Sequence, residues 1–162
     1  DHVDLALRIG TLPDSSLKAL RVGAVRRVVC ASPAYLGRHG TPVQPADLSQ
    51  HQCITFTGLM TAERWTFQTD GAEKFVQVRS RLAVNTAEAA IDAAIAGLGL
   101  TRVLSYQIAA AQGSGQLQTV LQPFEPDAVP VSLLFDGQSA LPLKLRAFLD
   151  FAADRLRQRL SP

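Results

Sequence analysis

The residues of this chain that are best suited to chemistry are groups that could hold an anion. Arg8 offers a planar fork of N–H donors that matches a carboxylate. It lies near the end of Val3–Gly10, whose alternating apolar residues predict a strand. Open α/β sheets bind ligands beyond the carboxyl ends of their strands, so this position favours a ligand contact. A structural ion pair is the open alternative for Arg8.

Two predicted helix starts could serve the same purpose. Asn85 and Thr86 precede an alanine-rich helix, and Ser32 precedes Pro33, a residue type favoured at the first position of a helix. The free backbone N–H groups and the dipole of a helix start suit a small anion. Plain N-capping is the commoner alternative, and it is compatible with a ligand contact.

A predicted loop supplies a third kind of contact. Phe56 and Thr57, followed by Gly58, combine a ring, a hydroxyl and a flexible backbone, which suits closure over a small molecule. In contrast, the adjacent Arg26 and Arg27 are predicted to lie on a solvated strand face.

The sequence gives little support for metal chemistry. His2, His39 and His51 have no metal-ligand spacing to one another or to a cysteine. Cys30 and Cys53 lie in apolar strand-like segments and are predicted to be buried free thiols in a reducing compartment, with a redox pair as the minor alternative. We therefore predict neither a metal site nor a cofactor.

Two segments that could be mistaken for catalytic motifs have simpler interpretations. Gly113–Gly115 reads GSG, but it lacks the G-x-S-x-G frame and the preceding strand of a nucleophile elbow, so a helix-ending turn is predicted. Glu88 and Asp92 lie one helical turn apart and are predicted to form the solvent stripe of their helix. No catalytic residue is predicted, and we expect no enzyme.

Strand and helix signals alternate along most of the chain, which predicts the α/β class. The apolar residues of Val3–Gly10 share one predicted face. The segment Leu17–Ser32 is predicted to form two strands bent at Gly23. A short helix capped by Ser32 follows, and it is predicted to end near Gly37.

The later elements are predicted in the same way. A hairpin turn is predicted at Asp70–Gly71, and its second strand, FVQVRSRLAV, runs unbroken over 75–84. Asn85 is the predicted N-cap of the alanine-rich helix, and Ser105 is the candidate cap of a helix over SYQIAAAQ. The terminal helix is predicted to carry an apolar stripe that includes Phe148.

Composition narrows the class of protein. The 162 residues include 16 basic and 14 acidic ones, and a net charge of +2 is too balanced to indicate a nucleic-acid surface. Hydrophobic residues make up 47% of the chain, enough for a core, and no apolar run is long enough to cross a membrane. Because the sequence opens inside a predicted strand without a Met, we expect a fragment of a longer protein.

Three segments together resemble a known family. They are ASPAYL, PADLSQHQCITF and AAIAGLGLTRVLSY, in this order along the chain. Each is modest alone, but in combination they are similar to the effector-binding domain of LysR-type transcriptional regulators. The resemblance covers nearly the whole chain.

The resemblance implies a two-lobe fold like that of periplasmic solute-binding proteins, with an effector cleft between the lobes. Residues 1–29 and 131–162 would form lobe I, and residues 30–130 would form lobe II. The proline-rich stretch Pro123–Pro130 fits the returning connection. The DNA-binding winged helix-turn-helix and the first part of lobe I are expected to be absent. An incomplete lobe I would expose a sheet edge, so we expect self-association or local disorder there.

The resemblance also implies a set of effector contacts. Arg8 would match a position that contacts effector carboxylates in some members, and the other implied contacts are Ser32, Pro33, Phe56, Thr57, Asn85 and Thr86. Ser32 and Pro33 are expected at the crossover between the lobes. Phe56 and Thr57 are expected on a cleft-side loop, and Asn85 and Thr86 at a cleft-facing helix start. The implied ligand is a small metabolite, an organic acid if Arg8 takes part.

The leading hypothesis is therefore the sensory domain of a bacterial, cytoplasmic transcription regulator. It would contact DNA only through the missing N-terminal domain, form a homodimer or tetramer as a full-length protein, and have no membrane partner. A fragment of an extracytoplasmic solute-binding protein is the alternative, and a two-lobe enzyme ranks last.

Overall fold

The chain divides into two compact units. In the computed structural model, the described residues are 4–12, 16–57, 63–136 and 142–160. Unit 1 comprises Asp1–Val25 with Ala128–Pro162, and unit 2 comprises Arg26–Asp127. The lobe boundaries at residues 29 and 130 stay a prediction.

Unit 1 is a three-stranded antiparallel sheet with one helix. Its strands are β1 (Leu5–Ile9), β2 (Leu17–Val25) and β10 (Val129–Asp136), in the order β1-β10-β2. The helix α4 (Leu143–Leu160) packs against β2 and buries Leu149 and Ala153. The central strand β10 therefore joins the beginning and the end of the chain into one unit.

Two sequence predictions in unit 1, the bend at Gly23 and the place of Phe148 in the apolar stripe, were wrong in detail. The strand β2 continues through Gly23 and ends at Val25, because the irregularity there is a bulge opposite Val131/Ser132 that leaves the pairing intact. The strand predicted at the start of the chain is confirmed as β1, which among the described residues pairs with β10 alone and leaves Leu7 52% exposed. Phe148 of α4 also lies on the exposed side, at 55%.

Unit 2 is built on a five-stranded mixed sheet. In chain order its strands are β3 (Arg27–Ala31), β4 (Cys53–Phe56), β7 (Ser80–Val84), β8 (Leu100–Leu104) and β9 (Gln118–Val120). Their order across the sheet is β7-β4-β8-β3-β9. The strand β4 is parallel to β7 and β8, whereas β3 is antiparallel to β8 and β9. The carboxyl ends of β4, β7 and β8 therefore lie at the same end of the sheet as the beginning of β3.

Short helices and a separate hairpin complete unit 2. The helices are α1 (Pro33–His39), α2 (Ala87–Ile95) and α3 (Ala109–Gly113), and 3-10 turns span Pro45–Gln50, Ser105–Gln107 and Gln122–Phe124. The hairpin pairs β5 (Arg64–Thr69) with β6 (Ala72–Gln77). Its turn residues Asp70 and Gly71 both have positive φ, as predicted for a tight hairpin turn.

Four predicted elements of unit 2 need correction. The segment 75–84 is two strands, because Val78 and Arg79 separate β6 in the hairpin from β7 in the main sheet. Helix α1 passes through Gly37 and ends at His39, since Gly40 provides the positive φ of the helix end. The predicted helix over SYQIAAAQ is a 3-10 turn followed by α3, and Ser105 is not its cap. The fourth correction concerns the cap of α2 and is described below.

The two faces of the unit 2 sheet carry two apolar clusters. One contains Tyr35, Leu48, Trp65 and Phe67, and it covers the face on which the hairpin packs. The other contains the buried residues of α2 and α3 together with Ile54 and Val103. Cys30 and Cys53 are buried and free, as predicted, and burial raises the pKa of both thiols to about 12. None of the described helices is long and apolar enough to cross a membrane.

Candidate functional site

The structure places four of the predicted contacts at one end of the unit 2 sheet. Phe56 and Val84 are paired where the parallel strands β4 and β7 end, so Thr57 and Asn85 follow them side by side. The backbone N–H of Thr57 donates to the carbonyl of Val84 at 2.8 Å, and the Thr57 hydroxyl donates to the same oxygen at 3.0 Å. The loop after β4 is thus held against the end of β7.

Thr86, and not Asn85, caps helix α2. The Oγ1 atom of Thr86 accepts a hydrogen bond of 3.1 Å from the backbone N–H of Ala89, and Thr86 has the extended conformation of an N-cap. The prediction that Asn85 is the cap was one residue too early. An α-helix has no internal acceptor for its first N–H groups, so those of Ala87 and Glu88 point out of this end of α2. Asn85 keeps an exposed side chain beside them.

The neighbouring strands continue this polar end of the sheet. The backbone N–H of Arg26 donates to the Ser105 hydroxyl at 3.1 Å, and the Ser105 N–H donates to the Arg26 carbonyl at 2.8 Å. These two bonds fasten the beginning of β3 to the end of β8. Sequence reasoning missed this role of Ser105, because only the antiparallel pairing of β3 with β8 brings Arg26 beside it.

An ion pair of Arg26 adds charged groups to this end of the sheet. The Arg26 guanidinium lies 2.8 Å from the Glu125 carboxylate, of which the second oxygen, Oε1, is buried without a hydrogen-bond partner among the described residues. Burial raises the pKa of Glu125, and the nearby Arg26 partly offsets that effect. The ion pair therefore holds a partly buried Glu125 carboxylate beside Arg26, the first residue of unit 2.

Ser32 and Pro33 lie at the opposite end of the same sheet. They follow β3, which is antiparallel to β8, so its carboxyl end lies away from Thr57 and Asn85. Ser32 caps α1 as predicted, since its Oγ accepts a hydrogen bond of 3.2 Å from the N–H of Tyr35. The structure does not bring these two residues together with the other contacts of unit 2.

Arg8 belongs to unit 1 and lies on the exposed strand β1. Its Nε donates to the carbonyl of Thr11 at 2.9 Å, a local bond three residues along the chain. The sheet of unit 1 is antiparallel, so the expectation of a ligand site at aligned carboxyl ends does not apply to it. Gly58, named with Phe56 and Thr57 in the sequence prediction, lies outside the described residues.

The two segments for which the sequence predicted no chemistry form a helix-ending turn and an exposed helix surface. Gly113 ends α3, and the Ser114 hydroxyl donates to the carbonyl of Ala111 at 3.2 Å, so the helix-ending turn is confirmed. Glu88 and Asp92 are both exposed. Within the described ranges, no group of three or more His, Cys, Asp or Glu side chains could hold a metal ion.

Comparison with known proteins identifies the relatives of this fold. The family model described as the LysR substrate binding domain matches residues 1–157. The HTH-type transcriptional activator AaeR of Escherichia coli is 30% identical over 95% of this chain and 50% of its own length. The HTH-type transcriptional regulator CrgA of Neisseria meningitidis is 30% identical over 98% of this chain and 53% of its own length. The chain thus spans about half the length of the curated relatives it matches.

Solved structures agree with the sequence relatives. The regulatory domain of AphB from Vibrio vulnificus matches with a TM-score of 0.82 and 28% identity, over 93% of this chain and 75% of that domain. The regulatory domain of CrgA matches with a TM-score of 0.80 and 30% identity, over 95% of this chain and 76% of that domain. The mixed α/β fold is therefore that of the regulatory domains of transcription regulators, and the solute-binding alternative is not favoured.

Proposed function

Because this chain belongs to the LysR substrate binding domain family, we propose that it is the effector-sensing part of a bacterial LysR-type transcriptional regulator. The whole regulator would be a cytoplasmic homodimer or tetramer that contacts DNA through a domain outside this sequence. In it, a small metabolite would change DNA binding by favouring one arrangement of the protein over another. We expect no catalysis, no cofactor and no membrane partner.

We place the unit 2 part of the effector site at the carboxyl ends of β4 and β7. The observation that carries this proposal is the joining of Thr57 to the end of β7, beside the start of α2. Phe56 contributes a half-buried ring, Asn85 an exposed amide, and the first turn of α2 its N–H groups. These donors suit the carboxylate of an organic acid, and the ring suits its apolar part.

The remaining predicted contacts, Arg8, Ser32 and Pro33, are given different roles from one another. Arg8 stays a candidate carboxylate contact from unit 1, where its exposed guanidinium has donors beyond the one bonded to Thr11. Ser32 and Pro33 were predicted as effector contacts, but at their end of the sheet we assign them the start of α1 instead.

A thermal-shift screen of small carboxylic acids tests the proposal. A ligand that binds only the folded chain at a hundred times its dissociation constant stabilises it by about 2.7 kcal/mol. We expect at least one acid to raise the Tm, and the Arg8→Ala variant to lose that response if Arg8 contacts the carboxylate. Failure of every acid to raise the Tm would contradict the proposed ligand class. A full-length regulator whose promoter binding no acid changes would contradict the sensory role.

A further inference from the structure

Arg102 is a buried arginine in the middle of the unit 2 sheet. Its residue in β8 is only 7% exposed, and no described carboxylate pairs with it. Burial, and to a lesser degree the nearby positive charge of Arg27, together lower the pKa of Arg102 to about 10. A buried cation is normally paired, so the absence of a described acid partner is unusual.

The hydrogen bonds of Arg102 use only part of its donor capacity. Nη1 lies 3.4 Å from the carbonyl oxygen of Thr66, and Nη2 lies 3.5 Å from that of Arg64. Both distances exceed the usual range of about 2.7–3.2 Å for an N–H···O bond, and a guanidinium has about five N–H donors. The ring of Trp65 lies beside the group, 5.8 Å from its central carbon. Arg102 is thus held under the hairpin by weak contacts.

Arg27 faces the same side of the sheet. The register pairs Arg27 with Leu104 and Val29 with Arg102, so the two arginines are diagonal neighbours on antiparallel strands. Side chains in that relation lie on one face, with Cα atoms about 7–8 Å apart. Arg27 is partly buried and forms no hydrogen bond or ion pair through its side chain with the described residues. The nearby acid, Glu125, is paired with Arg26 instead.

We propose that Arg27 and Arg102 form a binding site for a small oxyanion beneath the β5–β6 hairpin of unit 2. Two guanidinium groups on one face of the sheet with no described acid paired to either of them repel each other, and an oxyanion would both neutralise them and accept their unused N–H bonds. Arg102 supplies the buried end of this site, and the partly exposed Arg27 supplies the way in from solvent. The site does not depend on the proposed effector role and uses none of its contacts.

Titration with sodium sulfate tests this site directly. Sulfate is added at constant ionic strength against sodium chloride, and binding is followed by the NMR signals of the arginine side chains and by the Tm. We expect saturable binding to the unchanged chain and at least a tenfold weaker dissociation constant in Arg27→Gln. The matched control, Arg79→Gln, removes an exposed arginine of the same unit and should leave sulfate affinity unchanged.

A second arm uses sodium acetate in place of sulfate. Binding of both anions, each weakened by Arg27→Gln, supports recognition of organic carboxylates as well as inorganic oxyanions, and binding of sulfate alone limits the site to inorganic ones. The variant Arg27→Gln carries the test because Arg102→Gln removes the donors to two hairpin carbonyls and is at risk of misfolding. Two results would overturn the proposal: no saturable shift with either anion, or equal anion affinities in Arg27→Gln and the unchanged chain.

Discussion

Unit 1 and unit 2 cover their apolar surfaces to very different degrees. Both apolar clusters belong to unit 2, where each face of the central sheet is packed. Unit 1 buries a few residues between β2, β10 and α4, yet it leaves large apolar side chains exposed, among them Leu7, Leu143, Phe148 and Phe151. A packed sheet fixes the ends of its strands, so unit 2 presents positioned groups, whereas Arg8 of unit 1 lies on an exposed edge strand.

The largest expected effect comes from truncating an aromatic ring in each unit. Phe67 of unit 2 is 2% exposed, so Phe67→Ala should lower the free energy of unfolding by about 3–5 kcal/mol. Phe151 of unit 1 is 59% exposed, and Phe151→Ala should change it by no more than about 0.5 kcal/mol. Urea unfolding of both variants checks the difference. Equal losses would contradict the difference in burial between these two rings.

A smaller effect is expected from adding one methyl group at a glycine in each unit. A Cβ at Gly99 of unit 2 would overlap the backbone oxygen of Gln52, so Gly99→Ala should cost about 1–3 kcal/mol. A Cβ at Gly23 of unit 1 would lie 2.8 Å from the Cβ of Leu160, so the last residue of α4 would have to shift with its backbone, and a helix end shifts more easily than a backbone within a packed sheet. Gly23→Ala should therefore cost less. A greater loss of Tm for Gly23→Ala than for Gly99→Ala would contradict this ranking.

The cap of α2 gives an effect of about 1 kcal/mol. Thr86→Ala removes the hydroxyl that accepts from Ala89, and loss of such a cap typically costs that amount. Asn85→Ala removes the neighbouring side chain, which makes no cap bond, and should be close to neutral. Chemical unfolding of the two variants decides between them. A larger loss for Asn85→Ala would restore the cap predicted from the sequence.

The smallest effect is a pH dependence centred on His51. This buried ring lies 2.9 Å from the Tyr35 hydroxyl, and burial lowers its pKa, as does His39, while Asp47 raises it. The folded chain therefore takes up this proton at a lower pH than the unfolded chain, whose histidine titrates near 6.5. Stability should fall as the pH drops below that value.

The control for this pH dependence is His51→Gln, which removes the titrating group. Unfolding measured from pH 7.5 to 5.5 should show a shallower decline in the variant than in the unchanged chain. If stability declined equally with pH in the two proteins, His51 would not contribute to the pH dependence.

Local features were the part of the structure that the sequence could predict. Ser32 as a cap, the Asp70–Gly71 turn and the turn after α3 all depend on a few adjacent residues, and all are confirmed. The α/β class follows from the alternation of strands and helices, and it is confirmed as well. Such signals are read from neighbours in the chain, where propensity and capping act directly.

The pairing of strands that are distant in the chain could not be predicted from the sequence. The break at Val78 and Arg79 has no strong local signal, because the residues alternate in polarity through it while the chain passes from the hairpin to the main sheet. The direction of β3 relative to β8 likewise decides that Ser32 lies far from Thr57. Both facts depend on contacts between distant segments. Arg102 was missed for the same reason, although a charged residue in the apolar run LTRVL was a signal that could have found it.

The claim that the ligand binds at the carboxyl ends of β4 and β7 is tested most directly by two variants at opposite ends of one sheet. The first acid that raises the Tm in the screen is titrated calorimetrically into the unchanged chain, Thr57→Val and Ser32→Ala. We predict that Thr57→Val weakens the dissociation constant at least tenfold, whereas Ser32→Ala leaves it unchanged. Weaker binding in Ser32→Ala together with unchanged binding in Thr57→Val would contradict the account.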